Sequence, residues 1–324
     1  MPKYNKINIV FCLFLIACIV FLIIAPFVLL PKINKAYSFD SIEKNNTFLE
    51  LWEIDTFEGG TNSRSKFLEN TAVMFEQKNG GVYIIVRNLS LPQAILMLQQ
   101  DAIPDLVSFG VGVGDYIKAY TKELNISTSI RKSVLNSAKL NNKLLALPWC
   151  MGGYVWCGFN DINNLKESRV GVAVENNIPP KTENKSIIRY NTQYDAYKDF
   201  LSNNYDVLLG SQRDYFRLNN KVSLGAIEKC NFKFNNSYTD LVQYIAITTT
   251  NLNNISPCQN FIQFLIEDNI QKRLTNIGMF SVCEKPIYKG TNYAEFENNI
   301  MQITNILNAF TEIEEIKEKQ NNYN

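Results

Sequence analysis

Between residues 48 and 109 the chain alternates two periodicities, and few folds accommodate that alternation. FLELWEI, residues 48–54, switches between apolar and polar side chains as a half-buried strand does. Ser63 then stands as a helix N-cap. Phe67, Leu68, Ala72 and Phe75 share one helical face, which Asn79-Gly80-Gly81 closes. GVYIIVRNL, 81–89, reads as a second strand. LPQAILMLQQDA, 91–102, reads as a second helix, opened by Pro92, and LVSFG after Pro104-Asp105 as a third strand. The order β-α-β-α-β predicts a doubly wound α/β lobe with a parallel sheet. Ligands of such lobes bind outside the carboxyl ends of the strands. Three stretches fall on that rim: DTFEGGTNSR (55–64), SFGVGVGDY (108–116) and KLLALPW (143–149).

The chain has 324 residues, enough for two such lobes with separate cores. Its net charge of +1 gives no electrostatic basis for binding nucleic acid. Histidine is absent, which removes the commonest general base and metal ligand. No CxxC pair occurs either, so a metal site is not expected. Beyond the N-terminal apolar run lie Cys150, Cys157, Cys230, Cys258 and Cys283, which read as small buried residues or as partners in a disulfide such as Cys150 with Cys157. GVGVG, 110–114, lacks both the GK[ST] ending and the GxGxxG spacing of phosphate loops.

Residues 9–30, IVFCLFLIACIVFLIIAPFVLL, carry no charge. As a helix they would reach roughly 33 Å, enough to cross a hydrocarbon core of about 30 Å. Three readings stay open for the segment spanning residues 1–36. It is an uncleaved anchor, a signal peptide cut near Ala36, or a lipoprotein signal ending at Cys18 in Leu15-Ile16-Ala17-Cys18. Each places residues 40–324 on the extracytoplasmic side of the membrane.

Further along, VGVAVENNIPPKTENKSIIRY (170–190) reads as a strand plus an exposed loop, and AYKDFLSNN (196–204) as a short helix. YDVLLGSQRDYFRL reads as a strand ending at Gly210 with polar residues after it. YTDLVQYIAITT (238–249) has strand character. PCQNFIQFLIEDNIQKRLTNIG (257–278) reads as an amphipathic helix stopped by Gly278. A last helix is expected over about 292–317, grading into a polar tail at 317–324.

LELWEIDTFEGGTNSR, PDLVSFG, ALPWCMGGYVW, VLLGSQRDYFRL, YTDLVQYIAI and FIQFLIEDNIQKRLTNIGMFSV follow one another in that order from residue 49 to 282. In these blocks the sequence resembles the bacterial extracellular solute-binding proteins of sugar-type ABC transporters. The resemblance implies a two-lobed, periplasmic-binding-protein-like α/β fold of class II type. Each lobe would be a doubly wound sheet with flanking helices, and a multi-strand hinge would join them. Lobe one would comprise 47–148 plus 238–285, and lobe two 149–237 plus 286–316. Lobe two, at about ninety residues before YTDLV, is shorter than is usual in that family. A sugar or oligosaccharide would be trapped between the lobes and delivered to ABC permease subunits, with no chemistry and no cofactor. Outside the transporter the protein would be a monomer held at the membrane by its N-terminal segment.

The site residues follow from the rim stretches and the resemblance. Trp149 and Tyr154 in ALPWCMGGYVW are candidates to stack on the C–H face of a sugar ring, with interlobe core as the competing reading for Trp149 and Trp156. Trp52, Trp149 and Trp156 all fall in candidate cleft segments, and Phe109 ends the third strand. Asp55 and Glu58 are candidate acceptors for sugar hydroxyls, and Arg64 is expected to close its loop onto a carboxylate. Gln212, Arg213 and Asp214 offer an amide, a guanidinium and a carboxylate in a row, either to a ligand or to an interlobe ion pair. Two other functions compete. One is a membrane-anchored sensor or assembly protein that kept the fold without transport. The other is an exported glycoside hydrolase using Glu53 and Asp55, whose side chains would stand ~7 Å apart on one strand face.

Overall fold

The structure is a computed structural model that describes residues 46–57, 60–162, 165–174, 177–182 and 186–321. The apolar segment 9–30 and Glu58 lie outside the described residues. Among the described residues no helix is long and apolar enough to cross a membrane.

The chain opens as the periodicity predicts. Strand β1 (Thr47–Ile54) is followed by helix α1 (Arg64–Lys78), β2 (Val82–Leu89), α2 (Leu91–Gln99) and β3 (Leu106–Phe109). The Ser63 hydroxyl accepts from the Lys66 amide at 3.2 Å and caps α1. Phe67, Leu68, Ala72 and Phe75 are the buried face of α1, as their spacing requires. Strand β4 (Leu147–Met151) and β10 (Val242–Ile247) complete a sheet in the order β2-β1-β3-β10-β4. The first three strands are parallel, and β10 runs antiparallel to both of its neighbours.

The second sheet contains β5 (Tyr154–Gly158), β6 (Arg169–Ala173), β7 (Ser186–Tyr190), β8 (Val207–Ser211) and β9 (Asn231–Phe234), in the order β9-β5-β8-β6-β7. Helix α3 (Gln193–Leu201) connects β7 to β8, and α4 (Gln212–Ser223) leads towards β9. α4 is a helix that the sequence reading took for polar residues after a strand. Ser211 and Asp214 form its capping box, with the Asp214 carboxylate accepting from the Ser211 amide at 2.9 Å. β6 and β7 are parallel, yet no helix lies between them among the described residues.

The chain passes between the sheets at 151–154, again at 234–242, and a third time after α5 (Leu252–Leu265) and the turn at Gly278, which has a φ of 65°. Where one helix was expected over 292–317, there are two. α6 (Ala294–Met301) packs Phe296 on Phe234 of the second sheet, with ring centroids 4.6 Å apart. The chain then returns to the first lobe, where the Ala309 amide donates to the Ser137 carbonyl at 2.8 Å. α7 (Ile313–Asn321) follows and includes residues 317–321, which the sequence reading placed in the tail. The described cysteines are free thiols.

Candidate functional site

The cleft lies at the carboxyl ends of the first lobe's parallel strands, where the topology places it. It encloses 190 Å³. Asp55 and Thr56 enter it directly after β1; Val111, Gly112 and Tyr116 enter after β3. Asp240 lies on its floor, Ile178 forms the second lobe's side, and α7 contributes Ile313, Ile316, Lys317 and Gln320. A second hollow of 370 Å³ shares Ile178 and is lined by Pro179, Pro180, Lys181, Tyr238 and Lys319.

A buried guanidinium fixes Asp55. Arg64 is 3 % exposed and donates through Nη2 to Asp55 Oδ1 at 2.6 Å and to the Phe57 carbonyl at 2.8 Å. Its guanidinium lies 4.2 Å from the centroid of the Phe57 ring. Arg64 thus closes the loop onto a carboxylate, as expected. The Asp55 side chain remains 47 % exposed, so a cleft ligand can share it.

Glu53 lies beneath this pair and is fully buried, with Arg64 Nε at 3.5 Å. Gln243 Nε2 donates to Glu53 Oε1 at 3.1 Å and contacts Ser108 Oγ at 3.3 Å. Burial pushes the Glu53 carboxyl up to about 7, more than the pull of Arg64 brings it down.

Asp240 joins the hinge to the second lobe. Tyr154 donates its hydroxyl to Asp240 Oδ1 at 2.7 Å, and the Ile178 amide donates to Oδ2 at 2.7 Å. Burial raises this carboxyl to about 6 against the pull of those bonds. The hinge strands are also tied to each other. The Gly152 amide donates to the Leu241 carbonyl at 2.6 Å, and Thr239 Oγ1 donates to the Gly152 carbonyl at 3.2 Å. Gly153 packs against α6, and a Cβ there would stand 2.9 Å from Ile300.

Of the site residues read from sequence, Asp55 lines the cleft. The structure places most of the others in the core. Trp149 is 0 % exposed, stacks on Phe67 at 5.5 Å and donates from Nε1 to Ser108 Oγ at 3.0 Å. It is the extra residue where the register of β4 against β10 shifts, because Gln243 pairs with Cys150 and Tyr244 with Pro148. Trp52, 1 % exposed, donates from Nε1 to Glu50 at 3.0 Å. Phe109 is buried against Tyr244 and Phe310. Trp156 is 8 % exposed. Tyr154 is also buried and acts on the cleft through Asp240.

Gln212 is buried at the hinge, where its Oε1 accepts from the Gly153 amide at 3.1 Å. Asp214 caps α4 from a buried position, and Arg213 is half-buried in the first turn of that helix. The sequence reading missed Tyr116, Asp240, Ile178 and the α7 residues. Tyr116 and Asp240 lie within stretches it singled out, SFGVGVGDY and YTDLV. Nothing in the charged run EIEEIKEKQ marked a cleft-facing helix. Among the described residues no group of acidic or cysteine side chains could hold a metal ion.

No protein-family profile matches the sequence, and no curated protein does. Solved structures do match the fold. MalE, a sugar-binding protein from Xanthomonas citri, superposes with a TM-score of 0.61 at 9 % identity, over 85 % of this chain and 90 % of its own. The GacH receptor of Streptomyces glaucescens, solved unliganded and with acarbose, gives 0.61 at 11 % identity over 85 % and 92 %. The cyclic alpha-maltosyl-1,6-maltose binding protein of Arthrobacter globiformis gives 0.57 at 8 % identity over 86 % and 94 %. Two five-stranded sheets of matching strand order, a crossed hinge and these superpositions agree: the chain has the two-lobed periplasmic-binding-protein-like α/β fold.

Proposed function

We propose that this protein captures a sugar or oligosaccharide between its lobes outside the cytoplasm and hands it to an ABC permease. The carrying observation is the interlobe cleft. It sets a fixed, half-exposed carboxylate of one lobe opposite Ile178 of the other, with the Val174 and Asn177 carbonyls nearby, across a hinge of short crossing segments. Sugar hydroxyls are both donors and acceptors, and they suit carboxylates and backbone carbonyls equally well. The sugar-binding MalE, the acarbose-bound GacH receptor and the maltosyl-maltose binding protein share this fold and support the choice of solute. Segment 9–30, as an anchor or as a lipid signal at Cys18, would keep the protein at the membrane. Outside the permease complex it would act as a monomer.

We assign no reaction to the cleft. A glycosidase needs two carboxylates presented to one substrate. Here Glu53 is fully buried under Arg64 while Asp55 points into the cleft beyond the end of β1. Isothermal titration of the full-length protein in detergent with maltose and longer α-glucans tests the reading. Saturable binding without turnover is expected. Release of glucose from any of them would return the hydrolase reading to the front.

A further inference from the structure

The cleft already has an occupant that belongs to the chain. α7 lies along it and touches both lobes. At its first residue, the Ile313 amide donates to Asp115 Oδ2 of the first lobe at 3.4 Å. In its middle, Ile316 packs close to Gly112, where an added Cβ would lie 3.9 Å from Ile316 Cδ1. At its end, Gln320 Nε2 donates to the Val174 carbonyl at 2.9 Å and to the Asn177 carbonyl at 3.4 Å. Arg189 of β7 returns a bond to the Gln320 carbonyl at 3.4 Å. The half-buried residues Ile313, Ile316 and Gln320 face this contact, while Glu314, Glu315 and Glu318 are exposed.

Resting on the sugar-binding reading above, we propose that α7 is an intramolecular plug: it holds the groups that a polyhydroxylated ligand takes, and the ligand must displace it. The Gln320 amide is a neutral N–H donor to two main-chain carbonyls, which is the role a sugar hydroxyl plays as donor. With the helix seated, the hollow beside Asp55 is 190 Å³, less than the roughly 300 Å³ at which ligand pockets begin, and the 370 Å³ hollow that shares Ile178 is not lined by Asp55. The plug is also built to leave. No residue of α7 is fully buried. A nine-residue helix is marginal in water on its own, so it stays folded only while docked. Segments with little apolar burial occupy the low-stability end of a fold. While the plug is seated, the apparent affinity falls by the fraction of molecules in which the cleft is free.

The test pairs two measurements on the full-length protein in detergent, wild type and I316D/Q320A. Titration with maltotriose should show binding about tenfold tighter in the variant, the factor expected if the cleft is free in roughly a tenth of wild-type molecules. Amide exchange on wild type should show helix 313–321 losing protection when the sugar is added. Equal affinity in the two proteins, or a helix better protected with sugar bound, overturns the plug and leaves the sugar reading intact. If neither protein binds sugar, the solute reading fails and exchange without ligand decides the plug. Release of the helix in I316D/Q320A together with faster exchange at 110–117 and at Val174, Asn177 and Ile178 supports it; unchanged protection of those walls overturns it.

Discussion

The two lobes repeat one strand order and use it differently. β2-β1-β3-β10-β4 in the first sheet matches β7-β6-β8-β5-β9 in the second, strand for strand, in parallel and antiparallel sense. In the first lobe, helices fill both parallel crossovers and the β1 exit carries an arginine-locked carboxylate. In the second, the β6–β7 crossover has no helix among the described residues, and its main chain bonds Asp240 through the Ile178 amide and Gln320 through the Val174 and Asn177 carbonyls. The difference assigns the chemistry. Lobe one presents a pre-set side-chain charge. Lobe two presents backbone, whose donors and acceptors survive almost any substitution.

The sharpest challenge to a rigid, chemically specific first lobe is Trp149→Ala. Removing a fully buried, stacked and hydrogen-bonded indole should cost ~3–5 kcal/mol in urea unfolding. Unchanged stability with lost sugar affinity would make Trp149 a cleft wall after all.

Next in size is Glu53→Gln. The Glu53 carboxyl is raised from 4.5 to about 7 in the folded protein, so the folded state keeps its proton to higher pH than the unfolded chain does. Its contribution is complete below pH 4.5 and is lost as pH rises through 7. Wild type should lose on the order of 2–3 kcal/mol across that window, and Glu53→Gln most of that slope. Identical slopes in the two proteins would mean that the buried acid is ionised throughout.

Much of the first lobe was legible in sequence because its periodicities are clean. Ser63, Pro92 and the Phe67–Phe75 face mark their elements without tertiary help. The rim was legible too, since strand ends follow from strands. Which residue of a rim stretch turns inward was not. Trp149 lies in a strand buried along its whole length, and Phe109 is still within β3 while Tyr116, seven positions on, reaches the cleft. α4 was hidden because its polar start is a capping box, and caps resemble loops. α7 was hidden because its sequence is that of a solvated tail; only Ile313, Ile316, Lys319 and Gln320 are half-buried in that charged run.

Smaller changes sharpen the contrast between the walls. Asp55→Asn keeps the shape but removes the charge that the buried Arg64 pairs with, and should weaken maltotriose binding about tenfold and cost on the order of 1–2 kcal/mol in stability. On the outside of lobe two, Arg169 pairs with Asp206 at 3.2 Å, with side chains 51 % and 47 % exposed. Arg169→Ala should change stability by less than about 1 kcal/mol and leave affinity untouched, as thermal unfolding and titration would show. A larger loss would place that pair in the closure of the cleft.

The most direct test of the account is calorimetric titration of full-length wild type and Asp55→Ala with an α-glucan series from maltose upward. One saturable site in wild type, markedly weakened in Asp55→Ala at a temperature where circular dichroism shows both proteins folded, is the predicted result. Equal binding by the two proteins would move the site away from the Asp55 wall, and no binding of any α-glucan by folded wild type would contradict the sugar-carrier reading.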